Sequence, residues 1–447
     1  MKPHLLYIAF WYPPSRASGV YRALATTRAF VDAGWQVTVL TTTEEFLFDE
    51  VGSIDQSLRD LVPAGVEVVR VPFAFGSLLD VDVRSLGRFR ANFPTLWRKI
   101  HEKAAPLWSI ASFLRGEIET AHQITERYTP WIDPAVQAGR RVHSRTRVDY
   151  VLATGNPYSS FEAARLLSGL IGAPYSVDYR DPWTIDVFTG RVDNADRATT
   201  EAEREIVTAA DFCFQVNAAI AEAYGRKFPE SANKQVVVLN GYDADSIPPP
   251  AVPAEGALRF GILGTLNDNW PIDSIFKAWT DIRSQLPSGS TLVLGGNLGY
   301  FQGSRELLEA YLPDESVGFH YVGPVPKAEV AAFYVGTDVV VVPIPGGPMV
   351  TSGKIFEAMA TGRPLVCVQQ RAGGGRSLIE DWPLAFGCDP DPESIAAAIL
   401  EAARSSQHLD PEVSRAVQIR ALDYERTRTI AVMVDSVASR VATATRT

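Results

Sequence analysis

Short apolar runs alternate along this chain with longer amphipathic stretches, and that alternation predicts its architecture. Residues 5–10, 36–41, 66–71, 150–154, 175–178 and 236–239 are runs of strand length, hydrophobic enough to be buried on both faces. Between them, residues 19–33 read as a helix stopped by Gly34. Residues 161–170 are amphipathic, and 201–210 and 218–227 have helical spacing. Pro248, Pro249, Pro250 and Pro253 predict a linker. The rhythm then resumes with strands at 259–263, 291–294, 318–322, 339–342 and 365–368. Strands alternating with helices imply parallel sheets covered by helices on both faces. The expected fold is α/β, with two Rossmann-like domains, 1–247 and 256–425, facing each other across a cleft. A C-terminal helix at 426–447 is expected to pack back on the first domain.

Composition narrows the class. A chain of 447 residues is too long for one ordinary core, in keeping with two domains. With 46% hydrophobic and 21% charged residues it is globular rather than disordered. A net charge of −10 argues against a nucleic-acid partner. Cys213, Cys367 and Cys388 lie far apart and read as buried thiols in a reducing compartment. No apolar run approaches the ~20 residues of a membrane span, and residues 5–12 read as a first strand rather than a signal core. Arg in excess of Lys, with abundant Ala, points to a bacterial source, and the cytoplasm is the expected compartment. The six histidines have no metal-ligand spacing, so neither a metal nor a cofactor is expected. There is no Gly-x-Ser-x-Gly elbow, no Walker loop and no full dinucleotide fingerprint after Gly261 and Gly264.

The chemistry concentrates in residues 338–368. An apolar strand leads into a Pro/Gly-rich loop, then a helix that Thr351 or Ser352 can cap, then Gly362, Pro364 and a second strand. Ser352 and Gly353 therefore stand at a helix N-terminus, where free N–H groups and the helix dipole attract phosphate. Lys354 adds a full positive charge. Glu357, one turn further in, suits two sugar hydroxyls better than an anion. Together these groups fit a nucleoside diphosphate whose ribose rests on Glu357.

The run from Ser352 to Val366, SGKIFEAMATGRPLV, resembles the nucleotide-sugar motif of family-four-like glycosyltransferases with the GT-B fold. That family carries a Glu, seven residues, a second Glu, a small-residue helix and Gly-x-Pro. Glu357 matches the second Glu, while Met349 stands where the first, near the transferred sugar, belongs. Gly261-Ile262-Leu263-Gly264-Thr265 is similar to the family's first strand and glycine turn near the diphosphate. The Arg and Lys that usually follow are replaced by Asn267, Asp268, Asn269 and Trp270. The resemblance implies a glycosyltransferase that takes a sugar from a nucleotide-sugar donor and transfers it with retention, and the lack of metal-ligand signatures implies transfer without a metal. The alternative is an altered relative that binds the donor without ordinary transfer.

In the first half, the opening Phe10-Trp11-Tyr12-Pro13-Pro14, Gly19 before a helix, and the strand after Gly34 resemble the family's first strand, glycine loop and second strand. Gly19 can admit a ligand close to backbone, and Arg16 or Arg22 can supply charge. Asn156-Pro157-Tyr158 is similar to a subgroup loop that carries His where Tyr158 stands. Asp178-Tyr179-Arg180-Asp181-Pro182-Trp183 matches that subgroup's Asp-aromatic-Arg-Asp-Pro-Trp segment. Asp181 is the candidate base or orienting group, and Arg180 either holds Asp181 or binds an anionic acceptor. Asn156, Tyr158, Trp183 and Arg16 are candidate acceptor contacts. The acceptor is a small molecule, a glycan or a lipid-linked glycan. Residues 84–115 interleave basic residues with aromatics, which reads either as a membrane-surface contact or as an aromatic lid packed on the first domain.

Overall fold

The computed structural model describes residues 2–17, 19–51, 54–74, 95–96, 99, 103, 105–265, 270–297 and 315–444. Most of the basic and aromatic segment, and Asn267, Asp268 and Asn269, lie outside them. The chain forms two compact units.

The first unit takes in the described residues of Met1–Asp186, Arg191–Val238 and Ile430–Thr447. Its strands are β1 (His4–Ala9), β2 (Gln36–Thr42), β3 (Glu67–Val71), β4 (Tyr150–Gly155), β5 (Tyr175–Tyr179), β6 (Cys213–Gln215) and β7 (Gln235–Val237). They are all parallel, in the order β3-β2-β1-β4-β5-β6-β7. The helices are α1 (Val20–Asp32), α2 (Glu44–Val51), α3 (Ala105–His122), α4 (Ile132–Arg145), α5 (Ser159–Ile171), α6 (Arg197–Ala209) and α7 (Ala218–Lys227).

Helix α1 ends as its sequence requires. Gly34 takes a left-handed conformation, φ +87°, open to glycine without a Cβ penalty. Its N–H donates to Val31 O and the Trp35 N–H to Phe30 O, closing the helix while the Phe30 and Trp35 rings pack edge to face. One charged pair lies in the interior. Arg22 of α1 reaches Asp178 of β5 through Nε and Nη2, at 2.9 and 2.7 Å, and both side chains are buried. Thr154 Oγ1 donates to the same carboxylate at 3.1 Å. Arg22 therefore serves the fold, and of the two arginines that could supply ligand charge Arg16 is the one left at the surface.

The second unit comprises Val187–Gly190 and Leu239–Thr429. Its strands are β8 (Arg259–Leu263), β9 (Thr291–Gly295), β10 (Phe319–Gly323), β11 (Val339–Pro343), β12 (Leu365–Val368) and β13 (Ala385–Cys388), parallel in the order β10-β9-β8-β11-β12-β13. Its helices are α8 (Ile272–Ile282), α9 (Val330–Val335), α10 (Gly353–Ala360), α11 (Gly374–Leu378), α12 (Pro392–Gln407) and α13 (Pro411–Ala421).

Two features differ from the sequence reading. The prolines at 248–253 are not a free linker, because the second unit already begins at Leu239. Tyr242 bonds through its backbone to Tyr424 and Arg426, and Asp243 pairs with Arg426 at 2.6 Å. Strands β6 and β13 were also unexpected. The first has three residues and ends in Gln215, and the second contains Gly387, so neither shows a long apolar run.

The last helix, α14 (Arg426–Ala444), does pack on the first domain. Ile430, Met433, Val434 and Val437, spaced along one face, are buried with Leu5, Tyr7 and Tyr150. Each such side chain contributes roughly 1.5–3 kcal/mol on full burial. Arg440 adds an ion pair to Asp211 at 2.9 Å.

Removing one partner of the interior pair strands a buried charge, so Asp178→Ala should destabilise the first unit by about 3–5 kcal/mol in urea unfolding. A loss below ~1 kcal/mol would show that the pair does not hold α1 to the sheet.

Candidate functional site

In each sheet the chain order reverses at one point, between β1 and β4 and between β8 and β11. Loops leaving adjacent strands there run to opposite faces and open a crevice at the carboxyl ends, where open α/β sheets bind ligands. The predicted residues sit at those ends.

In the second unit Gly264 and Thr265 follow β8, while Met349, Ser352, Gly353, Lys354 and Glu357 follow β11. Glycines keep this edge low. A Cβ on Gly296, whose φ is +142°, would fall 1.7 Å from Gly264 O. Ser352, not Thr351, caps α10, its hydroxyl accepting from Lys354 N at 3.2 Å. The Gly353 N–H donates to no described residue.

Glu357 is more enclosed than the sequence implied, at 8% exposure. Lys354 Nζ donates to Glu357 Oε2 at 2.6 Å, and the buried Tyr334 hydroxyl donates to the same oxygen at 3.3 Å. Burial and the Glu357 charge raise Tyr334 well above its ordinary pKa, so it stays a donor. Oε1 accepts from no described residue. The lysine expected to meet phosphate is thus paired with the carboxylate expected to meet ribose. Met349, at 7% exposure, is apolar and nearly covered, and Pro348 and Met349 lie beside Gly190. Gln369, fully buried at the end of β12, donates to Pro345 O and Val350 O at 3.0 and 3.1 Å and so braces the 343–352 loop. Neither Tyr334 nor Gln369 was singled out from sequence; a polar residue ending an apolar strand run was the one available sign of Gln369.

In the first unit Arg16 and Gly19 follow β1, Asn156 and Tyr158 follow β4, and Arg180, Asp181 and Trp183 follow β5. Arg180 does not pair with Asp181. It donates from Nε to Gly155 O at 2.7 Å and from Nη2 to Asn156 O at 2.5 Å. Its guanidinium fills the space over Gly19, where an added Cβ would lie 1.2 Å from Nη1. Gly19 therefore makes room for Arg180. Tyr158, 9% exposed, stacks on Trp183 at 4.9 Å, and its hydroxyl donates between Pro182 O at 2.7 Å and Asp181 O at 3.0 Å. It ties two loops together instead of presenting a free hydroxyl.

Glu126, from outside the predicted set, caps α5. Its carboxylate accepts from Tyr158 N at 2.8 Å and Ser159 N at 2.6 Å, occupying donors an anionic ligand would otherwise use. Arg16 is exposed. The Asp181 carboxylate makes no hydrogen bond to described residues. Asp181 is solvent-exposed, and desolvation by the protein packed around it raises its pKa, opposed by the charge of Arg180.

Two doubly wound, all-parallel units with glycine turns and a helix N-terminus at their switch points are the makings of a GT-B protein. The chain belongs to the group 1 glycosyltransferases: residues 19–241 match the glycosyl transferase 4-like domain, and 257–405 match glycosyl transferases group 1. It is a glycosyltransferase. Among solved structures it is similar to sucrose-phosphate synthase from Thermosynechococcus elongatus, at 14% identity and TM-score 0.65, with 99% of this chain and 100% of that chain covered. A glycosyltransferase from Rickettsia africae gives 9% and 0.66, with 98% of both chains covered. HepE from Anabaena, solved with UDP, gives 14% and 0.63, with 98% of this chain and 100% of that chain covered. Identities this low speak for the fold alone. No curated protein matches the sequence.

Because Arg180 occupies the space a Gly19 side chain would need, the two positions should be coupled. In a double-mutant cycle read by urea unfolding, Gly19→Ala should cost clearly less in an Arg180→Ala background, with a coupling of about 0.5–3 kcal/mol. Additive losses would contradict the packing.

Proposed function

We propose that the second unit binds a nucleotide sugar and that the first holds the acceptor hydroxyl that receives the sugar. The observation that carries this is the pairing of Lys354 with Glu357 at the N-terminus of α10. A diphosphate placed there meets the Gly353 amide and the helix dipole, and it draws Lys354 away from Glu357. The freed carboxylate then has both oxygens for the 2′ and 3′ hydroxyls of ribose, with Tyr334 still holding one of them. Lysine and ligand thus exchange partners: Lys354 meets the diphosphate, and hydroxyls take the place of its ammonium at Glu357. HepE, which shares the fold, has been solved with UDP and with UDP-glucose, which supports a nucleotide-sugar donor here.

In transfer, the bond from sugar C1 to the diphosphate breaks with its electron pair leaving on the phosphate oxygen, and the acceptor oxygen bonds to C1. Lys354 and the backbone amides stabilise the departing charge, in place of a metal. Asp181 orients the acceptor hydroxyl and takes up its proton. The transfer is read as retaining, in line with the resemblance of the Ser352–Val366 motif. The acceptor is a small molecule or a glycan, and the 84–115 segment would bring a lipid-linked one to a membrane surface. A second reading, donor binding without ordinary transfer, rests on Met349, which puts a thioether where the family has a carboxylate.

A panel of nucleotide sugars screened by thermal shift identifies the donor, since a ligand at 100 times its Kd adds about 2.7 kcal/mol of stability. With that donor, Glu357→Gln should weaken binding by about 1.5–3 kcal/mol in calorimetry. Unchanged affinity in a folded variant removes the ribose role. Binding without transfer or slow hydrolysis selects the second reading.

Asp181 must be ionised to accept a proton. Its raised pKa therefore moves the acidic limb of kcat/KM upward from where an unperturbed aspartate would put it, with activity falling as pH drops through that limb. Asp181→Asn should abolish that limb and most of the turnover while sparing donor affinity; a limb that persists would assign it to another group.

A further inference from the structure

Behind the Asp181 loop lies a fully buried carboxylate, Glu203 of α6, that takes no part in the function proposed above. Its Oε1 accepts from Tyr224 OH at 2.6 Å and from Tyr179 OH at 2.9 Å. Its Oε2 accepts from Thr184 Oγ1. Lys227 Nζ donates to Thr184 Oγ1 at 2.6 Å and to Thr184 O at 3.0 Å, placing a positive charge one atom from the carboxylate. Burial raises the Glu203 pKa, and the three hydroxyls and Lys227 pull it back.

The direction of these bonds matters more than their number. Tyr224 points its hydroxyl proton at Glu203 Oε1. That leaves the Tyr224 oxygen with lone pairs outward, and the Trp183 N–H donates to it at 2.9 Å. Trp183 in turn stacks on Tyr158, whose hydroxyl closes on the Asp181 and Pro182 carbonyls. The segment beginning at Asp181 is thus held at Trp183 and Thr184, and both attachments end on Glu203. An unpaired carboxylate in this interior would cost several kcal/mol, and an apolar side chain could fill the space without that cost.

We propose that Glu203 is the positioning residue of the catalytic loop, fixing Asp181 by orienting the Tyr224 hydroxyl so that its oxygen lone pair meets the Trp183 backbone N–H. This rests on the reading that Asp181 acts on the acceptor. Tyr224→Phe removes the hydroxyl that joins Glu203 to the loop. Tyr179→Phe removes an equivalent hydroxyl from the same carboxylate without touching the loop, and so controls for the structural cost of the change.

Amide exchange at Trp183 and turnover of the donor found in the panel are measured in both variants and in Asp181→Asn. Tyr224→Phe should speed exchange at Trp183 and lower kcat roughly 10–100-fold at unchanged donor KM, the scale of a small misplacement of a reacting group. Tyr179→Phe should leave both near wild type. Equal losses in the two tyrosine variants, or slow Trp183 exchange and full kcat in Tyr224→Phe, would overturn the proposal. If Asp181→Asn turns over normally, the acceptor reading fails instead, and exchange at Trp183 alone decides whether Glu203 holds the segment.

Discussion

In a parallel sheet every strand ends at the same edge, and every following helix begins there. That edge gathers unpaired amides, helix N-termini and the loops that join them, while the apolar strands below hold it in register. Both units of this glycosyltransferase are built on that constraint. Their strand orders reverse at β1/β4 and β8/β11; the loop after β11 leads to Lys354 and Glu357, and the loop after the neighbouring β5 carries Asp181. Glycine lets the loops come close: Gly19 lies under Arg180, and Gly296 lies against Gly264.

The interior charges keep this edge in shape. Arg22 and Asp178 bind α1 to β5 directly beneath the Arg180–Asp181 dipeptide. Glu126 caps α5 from a distant part of the chain. Each of these charges is met by an opposite charge or by several hydrogen bonds, as burial demands. Two groups differ. Asp181 has a carboxylate without a described partner, and Glu357 has one oxygen held and one open. Groups left incompletely satisfied beside fully satisfied neighbours are where a ligand gains most by binding.

Much of this was legible in the sequence because it depends on short-range pattern. Apolar runs marked the longer strands, Gly34 marked the end of α1, and the Ser352–Glu357 spacing placed a capped helix with a charge on its first turn. What could not be read depends on contacts far apart in the chain. Nothing near Glu126 shows that it caps a helix 33 residues on, and nothing near Arg180 shows that its partners are the carbonyls after β4 rather than Asp181. Arg22 looked available because its partner is 156 residues away. The linker was misplaced for the same reason, since its prolines are visible and the backbone pairing of Tyr242 with Tyr424 is not.

The chemistry proposed for this chain requires a nucleoside diphosphate to bind at the β8/β11 switch point of the second unit. Amide exchange measured with and without saturating UDP, GDP or ADP tests it most directly. With the nucleotide that binds, exchange should slow at Gly264–Thr265, at Gly296 and across Ser352–Glu357, with the first sheet unchanged. Protection confined to the first unit, or none at these amides with any of the three, would contradict it.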